Sequence, residues 1–222
     1  MGSTARARPS RRARARLAGE AGFTLVELLI AMVVLLIVIG SLASVLVSAT
    51  QTEVDANNRF QAQEQARTGL TFLTRELHCA SAVTQTNGSV LAAGTAYNAI
   101  TATLPSTCST SGGQTLYVTW CTSPTTLVAG GHAALYRVTS TSTPYPTCSS
   151  SGKVKWVDYL TTATPFCLPG TTALTACGGV TQPANSLPLL HVTMPVNLNG
   201  VGSTIESYNV VDDIALRNAL RS

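Results

Sequence analysis

The chain has 222 residues, enough for one domain with a core plus appendages. Only 11% of its residues are charged and 45% are hydrophobic, which excludes a disordered polyelectrolyte. The formal charge of +4 is concentrated at one end: six of the fourteen basic residues are arginines between Arg6 and Arg16, and beyond residue 22 no basic stripe suited to a phosphate backbone is left.

In chain order, residues 1–22 are polar, Arg-rich and carry Pro9, and read as a leader rather than a folded element. Residues 23–49 are almost wholly apolar. Their uninterrupted part, 28–49, spans roughly 33 Å as a helix, enough for a bilayer core of about 30 Å. The arginines before this run predict a cytoplasmic N-terminus. Glu27 is the anomaly, because a carboxylate in an apolar span costs a few kcal/mol and marks a functional position.

No proline occurs between Pro9 and Pro105, so the helical signal continues. Ala66, Leu70, Leu73 and Leu77 form one stripe, with Arg67, Thr71, Thr74 and His78 on the other side. The reading is one helix from about residue 23 to about residue 81, apolar all round first and amphipathic over 50–81. Gly40 and Gly69 stand out as flexible points.

Residues 82–222 change character. Asn87-Gly88, Ser111-Gly112-Gly113, Gly130-Gly131 and residues 149–152 are turn clusters. Between and beyond them, 99–104, 115–121, 134–139, 154–160, 189–196 and 208–216 read as strands, the last two as a hairpin around Asn199-Gly200. Residues 161–188 hold four prolines and two cysteines and predict an irregular loop. The expected fold is α+β: a long N-terminal helix packed on an antiparallel sheet. Six cysteines, Cys79, Cys108, Cys121, Cys148, Cys167 and Cys177, all follow the apolar run. No CxxC and no zinc-ribbon spacing occurs, so disulfides in an oxidising compartment are the reading. Fifteen connectivities are open, with Cys167–Cys177 favoured by its short loop.

The junction Gly22-Phe23-Thr24-Leu25-Val26-Glu27-Leu28-Leu29-Ile30 resembles the class III signal of type IV prepilins and pseudopilins. That resemblance implies cleavage between Gly22 and Phe23 by a prepilin peptidase, which then methylates the Phe23 amine. It implies that Glu27, fifth in the mature chain, pairs with the N-terminal ammonium of a neighbouring subunit. It further implies an inner-membrane assembly platform, other pilin or pseudopilin subunits as partners, and a single-pass protein that later enters a filament. Residues 65–77 resemble the amphipathic half-helix of PilW-type minor pilins and J-type minor pseudopilins, and Val211-Asp212-Asp213-Ile214-Ala215-Leu216-Arg217-Asn218 resembles their terminal strand. Many pilins carry a proline where this chain has Ser44, so their kink is not expected here.

Rival readings follow from the same residues. Thr24 and Glu27 also fit a capping box. Val47-Ser48-Ala49 could end an ordinary signal peptide, leaving a secreted globular protein. The region 82–188 could be a binding insert of a tip adhesin or a DNA-uptake pilin, although only Arg137, Lys153 and Lys155 offer it a basic cluster. His78, His132 and His191 are scattered; His191 lies in an apolar strand and reads as a satisfied core histidine. Asp212-Asp213 lacks the further oxygen ligands of a calcium site. No catalytic or cofactor motif occurs, so no enzyme, cofactor or metal is expected.

Overall fold

The computed structural model describes residues 22–109, 112–172, 177–183, 186–203 and 207–217. The leader up to Ala21, Ser111 of one turn cluster and Asn218 of the segment that resembles a terminal strand therefore lie outside the described residues. The chain divides into two units, residues 1–51 and 52–222. One helix, α1 (Leu25–Cys79), contributes to both.

In the first unit, α1 opens at Thr24, whose Oγ1 accepts the Glu27 backbone N–H at 3.3 Å and so satisfies one of the unpaired amides of the first turn. Every described residue of this unit is exposed.

In the second unit, Ala62, Ala66, Gly69, Leu73 and Leu77 of α1 are buried. Their spacing of three or four keeps them on one face of the helix. Gly69 is not the flexible point that its residue type suggests. A Cβ there would lie 2.6 Å from Val157 Cγ2, so the missing side chain lets helix and sheet approach closely. The chain leaves the helix with Ser81 N–H donating to Thr103 O, and Cys79 is disulfide-bonded to Cys108.

The sheet contains nine antiparallel strands: β1 (Ala82–Thr84), β2 (Thr95–Tyr97), β3 (Ala99–Leu104), β4 (Leu116–Ser123), β5 (Ala133–Ser140), β6 (Val154–Leu160), β7 (Phe166–Leu168), β8 (Leu189–Val196) and β9 (Tyr208–Ala215). Its order is β1-β3-β4-β5-β6-β8-β7-β2, with β9 on the free side of β8. β1, β2 and β7, three residues each, are absent from the sequence reading, and β7 falls inside the stretch expected to be an irregular loop. The β6–β8 junction is a single residue pair, Leu160 with Val196, whereas β8 and β9 pair over eight.

Trp120 of β4 points at α1, and by the pleat Val118 shares its face, with Ile100 and Ala102 as register partners on β3. All four are fully buried in the same apolar cluster as Leu73 and Leu77. On the opposite face the paired Thr101 and Thr119 hydroxyls bond each other at 2.8 Å, which removes the cost of burying them. The β5–β6 register shifts twice around Leu135, and Tyr159 has φ 58°, so β6 does not alternate cleanly between a core face and a solvent face. The remaining disulfides are Cys121–Cys148 and Cys167–Cys177, and no described cysteine is free.

Candidate functional site

The N-terminal part of α1 is apolar on all sides. An 18-residue window reaches a mean hydropathy of 3.0 with none of it buried, and the helix is long and apolar enough to cross a membrane. Leu25, Leu28, Leu36, Ile37 and Leu46 are each more than half exposed. Such a surface must be covered by lipid or by other apolar helices. Helices suit this setting because they satisfy their own backbone polar groups. The few hydroxyls obey the same logic. Ser41 Oγ donates to Val38 O at 2.8 Å, Ser44 Oγ to Ser41 O at 2.8 Å and Thr50 Oγ1 to Val47 O at 2.9 Å, so none presents an unmet donor to its surroundings. The helix runs without a break through Ser44.

Glu27 lies in the first turn of this surface, on the same helix as the apolar side chains that follow it. Its carboxylate has no hydrogen-bond or ion-pair partner among the described residues. Its position favours an anion, since the positive end of the helix dipole lies there. Phe23 stands just ahead of the helix and is 78% exposed, and Gly22 has open space around it. Gly22, Phe23 and Glu27 thus lie together on an accessible end, with nothing among the described residues to neutralise the carboxylate.

A second polar centre joins α1 to the sheet, and sequence reasoning did not single it out. Glu76 Oε2 accepts the Trp120 indole N–H at 2.7 Å, while Oε1 accepts from Arg137 Nε at 2.8 Å and Nη2 at 2.6 Å. Both Glu76 and Arg137 are largely buried. A carboxylate held this way fixes the rotation of the helix on the sheet, because moving it strands two buried donors. The signal available in the sequence is Glu76 itself, which adjoins Leu77 of the apolar stripe. Two further polar links reach β9: Arg67 Nε donates to Tyr208 OH at 2.7 Å and Thr74 Oγ1 to Asp212 Oδ2 at 3.3 Å.

Several other residues read from the sequence find structural partners. His191 is buried, with Nδ1 2.7 Å from Asp213 Oδ1 and Nε2 2.9 Å from Thr193 Oγ1, so its ring is satisfied on both sides. Asp212 and Asp213 are thereby used by different partners, and no group of three His, Cys, Asp or Glu able to hold a metal occurs among the described residues. The three residues considered as a basic cluster are also engaged: Arg137 by Glu76, Lys155 by Asp158, and Lys153 over the Tyr136 ring at 4.8 Å. The hydrogen bond to Asp158, then the attraction of its charge, holds the Lys155 ammonium above the ordinary lysine pKa.

Residues 17–43 match the family model for the prokaryotic N-terminal methylation motif. The match covers Gly22, Phe23, Glu27 and most of the apolar run. No curated protein and no solved structure gives a significant match to the chain.

Proposed function

We propose, from the premise that this chain is type IV pilin-like by its methylation motif and its long apolar helix, that it is a minor pilin or pseudopilin that helps start or cap a filament. The observation that carries the reading is Glu27, a carboxylate in an apolar helix with no partner among the described residues, behind a Gly22-Phe23 junction inside the matched motif.

A membrane peptidase cuts between Gly22 and Phe23 and removes the arginines that hold the N-terminus in the cytoplasm. The new Phe23 amine is methylated and stays cationic. In the membrane Glu27 is a liability of a few kcal/mol. In a bundle of staggered helices it meets the ammonium of a neighbour, and the low dielectric makes that attraction far stronger than in water. A subunit out of register leaves both charges bare, so the pair selects one stagger. Residues 52–222 then lie outside the cytoplasm, where their cysteines oxidise. No catalytic step is assigned to the chain.

The test is the intact mass and N-terminal sequence of the protein isolated from its native membrane. The expected result is a chain that starts at N-methylated Phe23. A start at Thr50 would make it a secreted globular protein, and an uncleaved chain would make it a plain signal-anchored one; either overturns the proposal.

A further inference from the structure

A cleft of about 560 Å³ lies beside the last turns of α1, within the second unit. That volume falls inside the range of small-ligand sites. Three of its features call for a ligand of one chemical kind.

The first is an aromatic wall. Phe72 remains 39% exposed although its ring meets Trp156 at 4.4 Å, and Leu104 and Leu116 add apolar floor. The second is uncompensated positive charge. Both oxygens of Glu76 are committed, one to Trp120 and one to Arg137. Arg137 spends only one edge of its guanidinium on that carboxylate. Arg75, also lining the cleft, is exposed and has no hydrogen bond or ion pair among the described residues. The third is the Trp156 indole, whose ring lines the cleft while its Nε1 is buried without an acceptor among the described residues. The cleft thus offers donors and flat apolar faces, and its one carboxylate is already occupied.

We infer that this cleft binds a carboxylate carried on a flat apolar body, with Arg75 taking the carboxylate and the exposed Phe72 ring packing on the body beside Trp156. A guanidinium fork matches a carboxylate in a bidentate way, and a planar body can pack on the exposed Phe72 ring and meet the edge of Trp156. The same chemistry is found in a free aromatic acid and in a peptide that ends in an aromatic residue. The site involves residues 72–156 and owes nothing to processing at Phe23, so it can fail independently of the filament role.

The experiment uses the full chain in nonionic detergent with nitrogen-15 in its two tryptophans, read by their indole N–H signals. Phenylacetate should shift the Trp156 signal saturably and more than that of Trp120, which Glu76 holds. Phenylacetamide, the neutral analogue, should bind about tenfold more weakly, as expected when a charge-assisted pair is lost. Arg75→Gln, at an exposed position that tolerates substitution, should erase that difference while leaving both resting signals in place. A tripeptide ending in phenylalanine, compared with its C-terminal amide, separates the sources. Tighter binding than phenylacetate assigns the carboxylate to a protein terminus, and equal or weaker binding assigns it to a free acid. Equal responses to acid and amide, the same affinity in Arg75→Gln, or no saturable shift would each overturn the site.

Discussion

The two parts of α1 share a backbone and differ in what their side chains meet. From Leu25 to Val47 every residue is exposed and nearly every one is apolar. Between Ala62 and Leu77 a stripe is buried while Glu64, Arg67 and Thr71 stay exposed. The second part is explained by the domain it packs against. The first is explained only by surroundings that the chain does not provide. A helix without periodicity is therefore a statement about its solvent, and a helix with a stripe is a statement about its own sheet.

Substitutions can break this contrast from either side, and the largest effect is expected from Glu27. Glu27→Ala removes the one charge of the apolar part. It should abolish filament incorporation, a loss of about 3–5 kcal/mol if a buried pair is broken, while membrane insertion and unfolding of the domain stay unchanged. Immunoblots of sheared filaments against membrane fractions measure it. Normal incorporation would remove the register role. Leu73→Ala should behave in the opposite way, destabilising the domain by about 2–5 kcal/mol in thermal unfolding without touching insertion. Leu42→Ala, the same change on the exposed apolar surface, should leave domain unfolding alone; equal losses would mean that the two parts are one cooperative unit.

Gly69→Ala sharpens the comparison further. In a free helix it would help by up to about 1 kcal/mol. Here the added methyl meets Val157, so a net loss of about 1–2 kcal/mol is expected. Gly40→Ala has open space around it and, like Leu42→Ala, should leave thermal unfolding of the domain unchanged. The smallest effect belongs to the exposed Lys155–Asp158 pair. Because the folded state raises the Lys155 pKa, the contribution is complete below the unfolded lysine value and is lost as pH rises through the folded one. Exposure limits it to well under about 1 kcal/mol. Lys155→Ala should therefore leave stability at neutral pH nearly unchanged and flatten only the alkaline end of the profile.

What was legible in the sequence was local. The methylation motif, the apolar run and the stripe around Leu73 are patterns within a few turns. Six strands were legible because each is long enough to show β-branched and aromatic enrichment between turns. β1, β2 and β7 were not, since three residues carry no periodicity, and they exist because partners such as Thr101 and Val192 sit opposite them. The Glu76 centre draws on residues 44 and 61 positions away, a distance at which one sequence has no pairing signal. Gly69 was misread for a related reason. Residue type reports what a glycine permits, and only the fold shows that Val157 requires the missing atom.

The three disulfides join neighbours in order, with Cys79 to Cys108, Cys121 to Cys148 and Cys167 to Cys177. None encloses or crosses another. If the residues beyond the apolar run emerge across a membrane in chain order, each thiol's correct partner is the next one to arrive. Pairing in order of emergence gives the native pattern, and no bond has to be opened once made. Such a chain needs an oxidant on the far side and makes no demand on an isomerase.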